Sequence, residues 1–280
     1  MPKMNGIEFL KKIMSLRPMP VVMVSSLTAH GADITLEALK IGAVDFVQKP
    51  GQSVQDIEKI TEDLIDKIKI AASANIKTRP ISKTIKANEP SRKAKVVAIG
   101  ASTGGTETIK EALEGYSHQG PPVVISQHIP PIFSSTYAQR SARKISRKVT
   151  EITHKTELVD GKIYLAQGGT HLTFERGMQV FALPSDGEKI NKHRPSVDVM
   201  FDSLIPIYGA GVQAFLLTGM GADGAQGLLN LKNAGSYTVA QDEASSIVWG
   251  MPRQAVLMNA QCEVMSLSQI NNCLRNVKKK

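Results

Sequence analysis

Cysteine is scarce: Cys262 and Cys273 are the only two in 280 residues. Two thiols near one end of a chain build no disulfide framework and suit a reducing compartment. An uninterrupted apolar stretch of about 18 residues, which a membrane-spanning helix needs, is also missing. The first residues, Met1-Pro2-Lys3-Met4-Asn5-Gly6, carry no apolar segment of the kind a secretion signal requires. These absences predict a cytoplasmic protein with no membrane insertion. Internal repeats are absent too, and a single biased segment interrupts the chain.

That segment holds the excess charge. The net charge is +9, and 42% of residues are hydrophobic, as in ordinary globular proteins. Residues 77–95 carry seven basic side chains against Glu89, and Lys278-Lys279-Lys280 adds three more. The remainder is balanced. Nucleic-acid readers place basic charge on the face of a folded module, so this distribution argues against nucleic acid as a partner. With Pro80, Pro90 and few large apolar residues, 77–95 reads as a basic flexible linker between residues 1–76 and 96–280.

Residues 1–76 alternate helix and strand. Helical spacing runs from Gly6 to Met14, Val21–Val24 is an apolar run expected to be buried on both faces, and Ile34–Ile41 is helical. Val44–Val47 reads as a second strand and Val54–Ala71 as an amphipathic helix. Met1–Gly6, Val24-Ser25-Ser26 after a strand, and Gly42-Ala43-Val44-Asp45-Phe46 leading to Lys49-Pro50 make this part resemble the response-regulator receiver domain. The resemblance implies a partial flavodoxin-like α/β domain in which Ser25 and Lys49 occupy phosphoryl-contacting positions. It also implies a chemotaxis histidine kinase as a partner. The family's acceptor aspartate and Mg²⁺-binding acidic pair would fall before Met1, so its phosphorylation site is not carried over. The expectation for this chain is activity that does not respond to acetyl phosphate.

Residues 96–280 alternate more regularly. Strands are expected at 96–99, 122–126, 211–217 and 237–240, with 162–166 and 179–183 flanking the Gly168-Gly169 turn. Helices are expected at 107–113, 134–146, 196–208, 225–234, 252–259 and 267–275. Continuous apolar strands between helices predict a doubly wound, mainly parallel α/β sheet. Ligand sites on such sheets lie beyond the carboxyl ends of the strands.

The chemistry starts at Gly100-Ala101-Ser102-Thr103-Gly104, a G-x-S-x-G turn at the end of a strand. Such a turn lifts a serine oxygen clear of the sheet. A dinucleotide fingerprint would need glycine where Ser102 stands, and no Gly-Lys-Ser/Thr follows to make a P-loop. A nucleophilic serine needs a base. Of six histidines, only His128 directly follows a fully apolar strand; His171 and His193 lie in loops and rank lower. The acid that would orient the imidazole is Asp223, in the glycine-rich loop after 212–217. Asp198 and Asp242 are weaker alternatives. The chain order of serine, histidine and aspartate disfavours the α/β-hydrolase fold, where histidine comes last.

Five segments then carry a specific resemblance: Gly100–Gly105, Gln127–Pro131, His193–Val199, Leu217–Ala225 and Gly250–Arg253. Through them residues 96–275 resemble the catalytic domain of the chemotaxis protein-glutamate methylesterases, the CheB family. The resemblance implies hydrolysis of glutamate γ-methyl esters on methyl-accepting chemotaxis receptors, with methanol released, and deamidation of specific receptor glutamines. It assigns catalysis to Ser102, His128 and Asp223, and oxyanion or supporting positions to Met220 and Thr103. It implies no metal and no organic cofactor, and a receiver that restrains the catalytic domain. A hydrolase of the same fold acting on another ester or amide is the alternative.

Overall fold

The computed structural model describes residues 4–26, 28–49, 54–76 and 92–280. The chain forms two compact units, Met1–Pro80 and Ile81–Lys280. Residues 77–91 of the expected linker, and Met1, Pro2, Lys3 and Pro50 of the receiver motifs, lie outside the described residues.

The first unit runs α1 (Gly6–Leu16), β1 (Val22–Ser25), α2 (Ala29–Ile41), β2 (Asp45–Gln48) and α3 (Val54–Ser73), the order expected. Asn5 starts α1 with a capping box, accepting from Glu8 N at 2.9 Å while Glu8 Oε2 accepts from Asn5 N at 3.3 Å. β1 and β2 pair in parallel, Val22 opposite Asp45. Val24 is 51% exposed, so β1 is not buried on both faces. Its one strand neighbour among the described residues is β2.

The second unit contains β3 (Lys93–Ala94), β4 (Val96–Ala101), α4 (Gly105–Ala112), β5 (Val123–Gln127), α5 (Pro131–Ile145), β6 (Val149–Ile152) and β7 (Thr156–Glu157). Then come β8 (Ile163–Ala166), β9 (His171–Arg176), β10 (Val180–Ser185), α6 (Val197–Tyr208), β11 (Val212–Leu216) and α7 (Ala225–Asn233). The chain finishes with β12 (Tyr237–Gln241), α8 (Met251–Leu257), β13 (Glu263–Met265), α9 (Leu267–Asn276) and β14 (Lys278–Lys279).

Seven strands form one sheet in the order β13-β12-β11-β4-β5-β8-β6, with every neighbouring pair parallel. Every residue of β4, β5, β8 and β11 is buried, as parallel strands covered on both faces must be. Helices α4, α5 and α9 pack together on one face, and α6, α7 and α8 on the other. This is the doubly wound sheet the strand–helix alternation predicts. One cluster of buried side chains joins Ala98 and Val124 of the sheet to Met200, Phe201 and Leu204 of α6 and Leu228 and Leu231 of α7. From β4 the winding proceeds to β5 on one side, and from β11 to β12 on the other. The boundary between β4 and β11 is therefore the topological switch point, where open sheets leave a crevice.

Two further expectations change. The strands flanking Gly168-Gly169 are β8 and β9; the expected strand at 179–183 is β10, which hairpins back on β9 in a small antiparallel sheet with β7. β9 reads His-Leu-Thr-Phe-Glu-Arg and loses its burial towards the end, so it gives no apolar run to recognise. Residues 92–95, counted with the linker by their charge, fold with the second unit. Lys93–Ala94 pairs in parallel with Lys278–Lys279, which draws the basic tail into a two-stranded sheet.

Candidate active site

β4 ends at Ala101, and the chain must turn at once to begin α4. Gly104 makes this turn with φ +77°, a left-handed conformation that glycine adopts without a Cβ clash. Ser102 sits in the turn, partly exposed. Its N–H donates to Thr218 O at 3.0 Å, across the switch point. Its carbonyl accepts from Gly105 N at 2.8 Å and from Gln127 Nε2 at 2.8 Å. Gln127, 2% exposed, also donates to His128 O at 3.2 Å. One buried amide thus ties the backbone of Ser102 to that of His128. On the other side Gly219 comes close enough that an added Cβ would stand 2.8 Å from Ser102 Cβ and 2.3 Å from Met251 Sδ.

Three loops from three strand ends converge. Ser102 follows β4, His128 follows β5 and Asp223 lies in the loop after β11. Ser102 Oγ is 3.1 Å from His128 Nδ1, and His128 Nε2 is 2.7 Å from Asp223 Oδ2. The His128 side chain is 7% exposed and that of Asp223 1%. An ionised carboxylate only accepts hydrogen bonds, so Nε2 carries the imidazole proton. That tautomer leaves the Nδ1 lone pair facing the Ser102 hydroxyl.

Asp223 stands at the N-terminus of α6, where unpaired N–H groups favour negative charge. It accepts from Val197 N at 2.7 Å and Asp198 N at 3.4 Å, from Ser196 Oγ at 2.7 Å and from Asn191 Nδ2 at 3.2 Å. Burial alone would raise its pKa. The hydrogen bond and charge of His128 and the bonds from Ser196 and Val197 outweigh burial and hold it well below the usual carboxylate range. Asp198 goes the other way. Burial, with the Asp223 charge behind it, raises its pKa to about 6 although Gly227 N–H opposes the shift. Asp198 Oδ1 accepts that N–H at 2.7 Å, so α6 helps cap α7 while Asp223 caps α6.

The other expected residues divide: some lie beside this chain of bonds and others stand apart from it. Gly219 O accepts from Gly250 N at 3.0 Å and Met251 N at 2.7 Å. A trans peptide sets its carbonyl and N–H in opposite directions, so Met220 N–H points away from the start of α8. Met220 is 41% exposed and Thr103 7%. The Thr103 carbonyl accepts from Thr218 Oγ1 at 3.0 Å. His171 is buried between Glu188 O, at 2.7 Å from Nε2, and Ser196 N, at 3.1 Å from Nδ1, and so supports Ser196. Asp242 accepts from Ser245 N at 3.0 Å in a local turn. His193 does reach the site: its ring stacks on His128 with centroids 3.7 Å apart. In the first unit, Ser25 Oγ donates to Gly31 O at 3.2 Å and Lys49 N donates to Ser25 O at 2.7 Å. Gln127 and Ser196 lie within the motif segments without being singled out there, and Asn191 lies outside them; all three bond to the site. Among the described residues, no group of three His, Cys, Asp or Glu side chains is placed to hold a metal ion, and no helix is long and apolar enough to cross a membrane.

A fully parallel, doubly wound sheet with serine, histidine and aspartate hydrogen-bonded in series at its switch point defines a class of α/β protein in which a serine hydroxyl faces an imidazole backed by a carboxylate. The family model for CheB methylesterase matches residues 97–274, and that for the response regulator receiver domain matches residues 1–61. The chain belongs to the CheB methylesterase family, as its motifs imply. A protein-glutamate methylesterase/protein-glutamine glutaminase of Hahella chejuensis is 44% identical over 286 residues, covering 96% of this chain and 79% of the relative. One from Escherichia coli K12 is 42% identical over 276 residues, covering 97% and 79%. The crystal structure of the Thermotoga maritima CheB methylesterase catalytic domain aligns with a TM-score of 0.63 and 31% identity, covering 65% of this chain and 98% of that one.

Proposed function

We propose that this protein hydrolyses glutamate γ-methyl esters on chemotaxis receptors and deamidates specific receptor glutamines, using Ser102, His128 and Asp223. The unbroken series from Ser102 Oγ through His128 to Asp223 carries the proposal. The names of the relatives supply the substrate class. Ser102 Oγ attacks the ester carbonyl as its proton passes to His128 Nδ1. The Asp223 carboxylate stabilises the imidazolium, and the carbonyl electron pair collects on an oxyanion stabilised by N–H groups near Met220 and Thr103. As the tetrahedral intermediate collapses, the C–O bond to the methoxy group breaks and methanol leaves with the proton from His128. Water, deprotonated by His128, then attacks the acyl-enzyme. Glutamate is released and the Ser102 hydroxyl restored. With glutamine the leaving group is ammonia and the steps are the same.

The scarcity of cysteine, two residues in 280, supports a place in the cytoplasm, where the receptor helices that carry such esters are reached. Ser25 and Lys49, at the ends of adjacent parallel strands, support reading the first unit as a receiver addressed by a histidine kinase. The substrate is tested by incubating methylated receptor membranes with the protein and mapping receptor peptides by mass spectrometry. Methylglutamate should become glutamate, and selected glutamines should become glutamate. Unchanged peptides at both kinds of residue would contradict the proposal.

A further inference from the structure

His193 belongs to a tight turn that the reaction steps above leave unused. Ile190 N donates to His193 O at 3.1 Å and His193 N to Ile190 O at 2.8 Å. The two residues between them are both left-handed, Asn191 at φ 52° and Lys192 at φ 69°. This is the geometry of a two-residue hairpin turn, which favours Asn and Gly. For lysine that conformation is unfavourable, so the surroundings must hold the turn. They do so from both sides. Arg194 Nη1 donates to Asp186 O at 3.2 Å and Gly187 O at 3.0 Å, and His171 joins Glu188 to Ser196.

The turn touches two members of the hydrogen-bonded series at once. The His193 ring lies on the His128 ring, 14° from parallel. Asn191 Nδ2 donates to Asp223 Oδ1 at 3.2 Å and to Asp198 Oδ2 at 2.9 Å. We propose that Ile190–His193 is a positioning clamp for the base and its acid, with His193 and Asn191 as positioning residues. A flat ring at van der Waals distance resists rotation of the imidazole. His128 must keep Nδ1 on Ser102 and Nε2 on Asp223 together, and rotation would break both bonds. Asn191 occupies Asp223 Oδ1, which with Ser196 fixes the carboxylate so that Oδ2 faces His128.

The clamp rests on the reading of Ser102 as nucleophile, so its test reads Ser102 directly. The full chain is treated with a fluorophosphonate, and the rate of Ser102 modification is followed by mass spectrometry, with thermal unfolding recorded for each variant. His193→Leu, which fills space without a flat face, should slow modification about 10–100-fold, the cost of a misplaced reacting group. His193→Phe, which restores a flat ring, should recover most of that loss. Asn191→Gly keeps the left-handed turn but deletes the amide; it should slow modification roughly tenfold, the worth of one hydrogen bond to a charged group. Wild-type rates in His193→Leu, or a folded His193→Phe as slow as His193→Leu, would overturn the clamp. If His193→Leu unfolds, a wild-type rate in Asn191→Gly overturns it instead. A folded wild type left unmodified at Ser102 overturns the nucleophile reading, and the clamp falls with it.

Discussion

Two aspartates 25 residues apart in sequence share the N-terminus of α6, and their environments separate them. Asp223 is surrounded by donors and stays ionised. Asp198 is buried beside that charge, and its pKa rises to about 6. Asp223→Asn replaces an obligate acceptor with an amide that also donates, which disfavours the productive imidazole tautomer. Turnover should fall roughly 10³–10⁴-fold with the fold intact, as for triad acids elsewhere; steady-state methanol release and circular dichroism check this. Asp198 gives a stability prediction. Its folded pKa is raised, so its stabilising contribution is full below the ordinary carboxylate pKa and is lost as pH rises through about 6. Relative to Asp198→Asn, the wild type should lose on the order of 1–3 kcal/mol of unfolding free energy between about pH 4 and pH 7. Urea unfolding at both values decides it, and a constant difference would contradict it. At this scale Ser102, His128 and Asp223 were legible because each follows an apolar strand. His193 stands out only as a lower-ranked loop histidine and the start of a motif; its stacking on His128 and the part played by Asn191 are not readable locally. Their turn is left-handed without glycine, and nothing local announces that.

Elements place these residues. The loop after β11 lays Asp223 on the first turn of α6, and the first turn of α6 returns Asp198 to the first turn of α7. Ser196 is the cap in which these roles meet, accepting from Val199 N at 3.4 Å and donating to Asp223 Oδ1. Ser196→Ala removes a helix cap, at about 1 kcal/mol of stability, together with one bond to a charged carboxylate. Chemical denaturation should register the first loss, and slower fluorophosphonate labelling of Ser102 the second. Unchanged labelling would separate α6 from the site. The central strands were legible from their unbroken apolar runs. β6, β7 and β9 escape recognition because polar residues at partly buried or exposed positions break their apolar runs, and β13 because three residues make no pattern.

The sheet gathers the site. Strand order, which no local pattern encodes, creates the switch point between β4 and β11, and Ser102 N bridges it to Thr218 O. The class of fold was legible from alternation alone, but the switch point required the long-range pairings. Residues 92–280 contain the whole sheet, both helical layers and the hydrogen-bonded series. As a separate chain they should fold cooperatively and keep Ser102 reactive; failure to fold would show that the first unit completes the core. Methanol release from methylated receptor membranes, by wild type and Ser102→Ala side by side, bears most directly on the central claim. The wild type should release methanol, and a folded Ser102→Ala protein should lose roughly 10⁴-fold or more of that activity. Near-normal release by Ser102→Ala would contradict that claim.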